Sequence, residues 1–198
     1  ERKMSCHYRE NCGGCPLRHK EISVYRQEKQ DVVRKILEQI KQDSLPLGET
    51  VFIGDASRRR ASLAFSFRKG KLTLGFNGAR SNDIVDIEEC SLLMPELNAV
   101  LPKIRSLLEQ ICAIPYKVKN GKKMTTQVIG GGDVWLCAAS NGVDVVLEYD
   151  APLDLEHRMV IFEMAQAWEN VIRISHRRRS GETPEPIVEK AKPFVQMG

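Results

Sequence analysis

Three cysteines crowd into a short segment near the start of the chain, Cys6, Cys12 and Cys15, and Gly13 and Gly14 separate the last two. Cys12 and Cys15 are too close in sequence for a relaxed structural disulfide, but they can bind one metal centre together. Thiolates are soft ligands, typical of zinc sites and iron–sulfur clusters. The glycines let backbone N–H groups approach sulfur closely, which favours a bulky, negatively charged cluster.

Three neighbouring cysteines need a fourth ligand from elsewhere in the chain. Cys90 is the candidate, because it follows an acidic turn at Asp86–Glu89 and precedes a predicted helix. Zinc is an alternative, although a zinc ribbon usually has two Cys-x2-Cys pairs and this chain has one; unligated, redox-labile thiols are another. Cys112 and Cys137 lie in apolar stretches and are predicted to be small buried hydrophobes.

The charge of the chain is nearly balanced in total but uneven in position. The 30 Lys+Arg exceed the 26 Asp+Glu by only four, whereas residues 57–82 contain no acidic residue and a second basic cluster follows His176. Such stretches are typical of surfaces that bind a phosphate backbone, and guanidinium groups can also stack on unpaired RNA bases. A charged edge strand that resists aggregation is the alternative. The predicted RNA-contacting residues are Arg58, Arg59, Arg60, Arg68, Lys69, Arg80, Arg177, Arg178 and Arg179.

Hydrophobic periodicity predicts the elements that must position these groups. Helices alternate with hairpins rather than with single strands, which favours an α+β fold with a mostly antiparallel sheet and packed helices, preceded by the Cys-rich knot. In the last helix, capped by Asp154, an inward face is predicted for Leu155, Met159, Phe162 and Trp168. The predicted elements are helices over 21–42, from Pro95 onward and over 155–169, a hairpin over 61–76, three strands within 124–149 broken at 130–133 and 140–142, and a strand over 171–175.

The pattern Cys6-x5-Cys12-Gly-Gly-Cys15, followed by Leu17, His19, Tyr25 and Lys29, resembles the cysteine-rich region of bacterial RNA uracil-5-methyltransferases. These enzymes use S-adenosylmethionine to make 5-methyluridine in 23S ribosomal RNA, and relatives act on tRNA. Residues 58–76 are similar to the central domain of the family, and residues 85–93 to the segment that brings in a distant cysteine. The resemblance implies that Cys6, Cys12, Cys15 and Cys90 bind a [4Fe–4S] cluster.

The resemblance also implies a domain organisation. Residues 1–20 correspond to the iron–sulfur knot and 21–198 to a central RNA-recognition domain, to which Cys90 belongs. The C-terminal catalytic domain, which binds S-adenosylmethionine, is expected to be absent. Consistent with this, Gly130–Gly132 lead into a predicted strand rather than a helix, so they offer no helix N-terminus to a cofactor. We therefore expect no catalytic residue in this chain and no methylation by it alone.

The expected partner is RNA, with 23S ribosomal RNA favoured and tRNA the second possibility. A cytoplasmic monomer without membrane contact is expected, since the sequence has neither a signal peptide nor a run of about 18 apolar residues. A free-standing, metal-dependent RNA-binding protein is the alternative function. An electron-transfer protein similar to ferredoxins fits less well, because such carriers have four closely spaced ligands and less surrounding fold.

Overall fold

A computed structural model describes residues 6–42, 44–121 and 123–196. The described chain forms an α+β fold, which confirms the predicted class. Its elements in chain order are α1 (Ile22–Gln39), β1 (Arg60–Arg68), β2 (Lys71–Asn77), β3 (Ile84–Asp86), α2 (Pro95–Ala113), β4 (Tyr116–Asn120), β5 (Lys123–Gln127), β6 (Gly131–Ala139), β7 (Gly142–Glu148), α3 (Leu155–Gln166), β8 (Val171–Arg177) and β9 (Glu185–Glu189).

Seven strands form one sheet in the order β3-β2-β1-β6-β7-β8-β9, and β4 pairs with β5 in a separate hairpin. All neighbours in the large sheet are antiparallel except β7 and β8, which α3 connects as a parallel pair. Helix α2 packs on β2, β6 and β7, and α3 packs on α2 and β9. The core therefore lies between the helices and one face of the sheet.

Strand alternation decides which side chains face the helices. In β1, Leu63 and Phe65 are buried, while Ser62 and Ala64 lie on the opposite face and are partly exposed. The same period of two continues through β6 and β7, whereas β8 is buried on both faces, at Ile174, Ser175 and His176. Among the described residues, helices α2 and α3 pack on the first face and not on the second, which we call the open face of the sheet. Arg60, at the start of β1, also belongs to the open face.

Helix α2 forms as its sequence predicts. It begins at Pro95, whose missing N–H is not needed in the first turn of a helix. Its predicted apolar stripe is buried, together with Cys112, which is fully buried as expected. The buried side chains of this helix are Leu97, Val100, Leu101, Ile104, Leu107, Leu108, Ile111 and Cys112.

Helix α3 has the predicted cap but the wrong inward face. Asp154 accepts a hydrogen bond from the backbone N–H of His157, as an N-cap should. Leu155, however, is 73% exposed, and Met159 and Phe162 are both 52% exposed. The helix instead buries a stripe of residues that lie four positions apart. Of the four residues predicted to face inward, only Trp168, which follows the helix, is buried. The buried stripe is His157, Ile161 and Ala165.

The prediction of helix α1 is confirmed in position, yet none of its side chains is buried. Its apolar positions, among them Val32 and Ile36, remain about half exposed.

The glycine-rich break is placed differently from the prediction, because Gly131 and Gly132 begin β6 instead of forming a turn. A Cβ atom on Gly132 would lie 2.1 Å from the carbonyl oxygen of Glu148, so glycine permits the close approach of β7.

None of the described helices is both long enough and apolar enough to cross a bilayer.

Candidate metal centre and nucleic-acid interface

The cysteine-rich loop is attached to the end of β2. Cys12 forms an antiparallel bridge with Gly78, the backbone N–H of Gly13 donates to the carbonyl oxygen of Asn77 at 3.0 Å, and Ala79 N–H donates to Asn11. A Cβ atom on Gly13 would lie 2.9 Å from that Asn77 oxygen. Glycine is thus required for the loop to approach the strand this closely.

The segment that carries Cys90 reaches the same end of the sheet along a different path. It runs beside the residues that precede β1, where Ala56 N–H donates to Ser91 and Arg58 N–H donates to Leu92, both at 2.8 Å. Helix α2 holds this segment from the other side through Asn98, which accepts from the backbone N–H of Cys90 at 2.9 Å and donates to its carbonyl oxygen at 3.0 Å.

Two side chains connect the loop directly to the Cys90 segment. Arg18 is buried and its Nη2 donates to both Asp55 and Ser91 at 2.8 Å. The hydroxyl of Tyr8 accepts from the backbone N–H of Glu88 at 3.0 Å. These bonds bring together two parts of the chain that are more than seventy residues apart in sequence.

All four predicted cysteines line one cavity, together with Arg18. Burial raises the pKa of the Cys15 thiol; Arg18 opposes this shift, and negative charge on Cys90, Cys12 or Cys6 adds to it. Within residues 6–42, 44–121 and 123–196, no three His, Cys, Asp or Glu side chains are grouped closely enough to hold a single metal ion. The four thiols nevertheless border one cavity, and four thiolates are the usual ligand set of a [4Fe–4S] cluster.

Two further features fit a negatively charged cluster in this cavity. The Nε–H group of Arg18 is buried and has no hydrogen-bond partner among the described residues. The backbone N–H of Gly14 already donates to Cys12 Sγ at 3.4 Å. Hydrogen bonds to sulfur are a usual means of stabilising cluster charge. The donor set therefore fits an iron–sulfur cluster.

The predicted RNA-contacting residues divide into groups with different surroundings. Arg60 and Arg68 lie at opposite ends of β1 on the open face, both exposed and without an ion pair to a described residue. Arg58 lines the cysteine cavity. Lys69 lies in the turn between β1 and β2, and Arg80 follows β2; both are exposed.

The remaining four predicted arginines have partners within the protein. Arg59 donates to the carbonyl oxygen of Ala138 in the neighbouring strand β6 at 2.9 Å. Arg177 pairs with Glu148 at 2.6 Å. Arg178 and Arg179 lie 2.7 and 3.8 Å from the same carboxylate, Asp150. The basic cluster after His176 is therefore largely neutralised, because the fold places acidic residues opposite it. His176 itself is buried.

Several residues that shape the site gave no signal in the sequence. Arg18 and Asn98 position the cysteine segments only through long-range contacts, which no local pattern encodes. The sequence predicts Trp135 in a strand but gives no sign of its 41% exposure on the open face. Cys137 lies on the same face and is only half-buried, so the expectation that it is a core residue is wrong.

Comparison with known proteins identifies the relatives of the chain. No family model matches it. An RNA methyltransferase of Mesorhizobium japonicum is 30% identical over 196 residues, which are 98% of this chain and 41% of the relative. The chain is homologous to a part of this RNA methyltransferase. The 23S rRNA (uracil(1939)-C(5))-methyltransferases RlmD of Enterobacter sp. and Haemophilus influenzae are each 28% identical, over 87% and 81% of this chain. The chain spans 34 to 41% of the length of these relatives.

Proposed function

We propose that this chain is the cluster-binding and RNA-recognition part of an RNA uracil-5-methyltransferase that modifies 23S ribosomal RNA. In this proposal residues 1–20 form the iron–sulfur knot and residues 21–198 the central domain. S-adenosylmethionine binds to another part of the full-length protein, and no methyl-transfer step is assigned to the residues of this chain. The observation that carries the proposal is the convergence of four thiols on one cavity that Arg58, two residues before β1, also lines.

A [4Fe–4S] cluster in this cavity would be held by Cys6, Cys12, Cys15 and Cys90. Its contribution is structural: four metal–thiolate bonds tie the N-terminal loop to the segment before α2 and so close a long loop of the chain. Arg18 supports this assignment, because its buried, unpartnered Nε–H lines the same cavity and can donate to a sulfur atom.

Metal analysis of anaerobically purified protein tests the cluster. We expect a brown protein with iron and acid-labile sulfide in a one-to-one ratio. Cys90→Ser should lose the cluster as completely as Cys12→Ser does, whereas the matched control Cys137→Ser, half-buried on the open face, should retain it. Stoichiometric zinc in place of iron, or a Cys90→Ser protein that keeps its cluster, would contradict the assignment.

The RNA partner is supported by the cations of the open face and by the names of the relatives. Arg60 and Arg68 mark the two ends of one strand, and no described carboxylate neutralises either of them. Single-stranded RNA presents phosphates along such a path, and guanidinium groups match their geometry. Arg178 and Arg179, which share Asp150, have less free charge to offer.

The salt dependence of RNA binding tests this partner. Each phosphate that a Lys or Arg neutralises contributes about 0.7 to the slope of log affinity against log salt for single strands. We expect the double variant Arg60→Ala/Arg68→Ala to reduce the slope for a labelled single-stranded RNA by about 1.4. The control Arg178→Ala/Arg179→Ala should change it by less than half as much. Equal slopes for the wild type and the first variant would remove β1 from the RNA interface.

A free-standing RNA-binding protein is the alternative, and no observation on the described residues favours it. The relatives reported above are each named as methyltransferases.

A further inference from the structure

Trp135 occupies an unusual place on the open face of the sheet. It lies in the central strand β6, directly opposite Ser62 of β1 and Val146 of β7, and its side chain is 41% exposed. Small neighbours leave a large aromatic surface accessible to solvent at the middle of the sheet. The other tryptophan of the chain, Trp168, is only 6% exposed.

The indole ring is held rigidly by its neighbours. Its Nε1–H donates to the carboxylate of Glu148 at 3.1 Å. The same carboxylate accepts from Arg177 at 2.6 Å, and the guanidinium of Arg177 lies over the indole ring, 5.2 Å from its centroid. One carboxylate thus fixes both the aromatic ring and the cation beside it, so little side-chain entropy remains to be lost when a ligand stacks on the ring.

A hollow opens beside Trp135 toward the start of β1. It is lined by Trp135, Arg60, Ser62, Cys137, Asp144 and Val146. On the other side of Trp135, away from β1, Arg177 of β8 pairs in register with Glu148 of β7. Glu148 in turn pairs with Asp133, which lies two residues before Trp135 in β6. Arg60 is exposed at the rim of the hollow and is paired to no described residue, so an aromatic wall and an available cation border the same space.

We infer that Trp135 is a stacking platform for an unpaired RNA base, with Arg60 contacting the adjoining phosphate and Arg177 positioning the ring. The inference rests on the proposed function, because it takes RNA as the partner. Planar aromatic side chains on an open sheet are a common means of binding single-stranded RNA, since every base has a π-face. The cations of β1 provide the charge complementarity that an RNA strand needs, and they continue the path from Arg60 to Arg68.

Tryptophan fluorescence provides a direct test, because the chain has only two tryptophans and only one of them is substantially exposed. Titration of the protein with decauridylate or decaadenylate should quench the emission. Trp168→Phe should preserve the quenching, whereas Trp135→Phe should abolish it while affinity, measured by the anisotropy of labelled RNA, stays within about threefold because phenylalanine can still stack.

Truncation of the ring gives the second readout. Trp135→Ala should weaken binding of the labelled RNA by about 5- to 150-fold, the range for loss of one aromatic stacking contact. Phe162→Ala is the matched control, since Phe162 is also about half exposed but lies on α3, on the opposite side of the sheet. Its affinity should equal that of the wild type.

The outcomes separate the platform from the proposed function. RNA binding that retains its normal salt slope but shows neither quenching nor sensitivity to Trp135→Ala overturns the platform and leaves the proposed function standing. Absence of RNA binding in the wild type overturns both. A change of Trp135 emission with protein concentration, without RNA, would assign the open face to a second copy of the chain and also overturn the inference.

Discussion

Replacement of Asn98 by alanine tests how the distant cysteine segment is held. The side chain of Asn98 forms three hydrogen bonds: it accepts from Cys90 N–H at 2.9 Å and donates to the carbonyl oxygens of Cys90 and Leu93 at 3.0 and 3.3 Å. At about 0.5 to 1.5 kcal/mol for each net bond, their loss should lower the free energy of unfolding by about 1.5 to 4.5 kcal/mol. The better helix propensity of alanine offsets about 0.5 kcal/mol of this.

Urea denaturation of the reduced, metal-free protein measures this change. After the helix-propensity offset, the net loss of about 1 to 4 kcal/mol corresponds to a decrease in melting temperature of about 2 to 16 °C for a domain of this size. Asn98→Asp keeps the acceptor for Cys90 N–H but loses both donated bonds, so its stability should fall between those of the wild type and Asn98→Ala. Glu96→Ala, an exposed change in the first turn of the same helix, should cost less than about 1 kcal/mol.

A loss of less than about 0.5 kcal/mol in Asn98→Ala would refute the reasoning, because it would mean that the three bonds do not stabilise the Cys90 segment. In protein that carries a cluster, the same variant should also release iron to a chelator faster than Glu96→Ala does. Equal release rates would show that Asn98 has no part in positioning Cys90.

Three further predictions follow from burial and backbone approach. Gly75→Ala should destabilise the protein by about 1 to 3 kcal/mol in thermal or urea unfolding, because the added Cβ would lie 1.9 Å from the carbonyl oxygen of Val85. The control Gly130→Ala, which has open space around it, should be near neutral. Equal effects of the two substitutions would contradict the packing argument. Burial raises the pKa of Cys112 to about 12. Its alkylation by iodoacetamide at pH 8 should therefore be roughly 1000-fold slower than that of an ordinary thiol until the protein unfolds. Mass mapping that finds Cys112 labelled as fast as Cys137 would disprove this. Burial lowers the pKa of His176 below its usual 6.5, so the unfolded chain binds a proton that the folded chain does not, and stability should fall as pH decreases through 6.5. His176→Gln should reduce this slope by up to about 1.4 kcal/mol per pH unit, and an unchanged slope would exclude His176 as its source.

Local patterns predicted the elements well where one face of an element is buried. The stripe of α2 and the alternation of β1 agree with the structure, since a helix or strand against a core must repeat its apolar residues at its own period. The predictions failed where two faces were apolar. In α3, both the stripe through Met159 and the stripe through Ile161 could have been buried, and only the packing of the helix on α2 and β9 selected the second.

The charge pattern shows a similar division. An absence of acidic residues along β1 is a property of the sequence, and Arg60 and Arg68 remain without a described ionic partner in the fold. The cluster after His176 looked equivalent, but cross-strand pairing places Glu148 beside Arg177, and Asp150 pairs with Arg178. Charge along one strand says nothing about the charge of the strand beside it.

The sequence alone determined the α+β class, the spacing of the three N-terminal thiols and the kinship with RNA methyltransferases, because these depend on residue order and local period. The resemblance of the sequence to the RNA uracil-5-methyltransferases already pointed to Cys90 as the fourth thiol. Only the tertiary structure decided how Arg18 and Asn98 hold its segment at the cavity, and that Trp135 faces solvent. These features arise from contacts between residues far apart in the chain. Such contacts exist only after the sheet has paired and the helices have covered one of its faces.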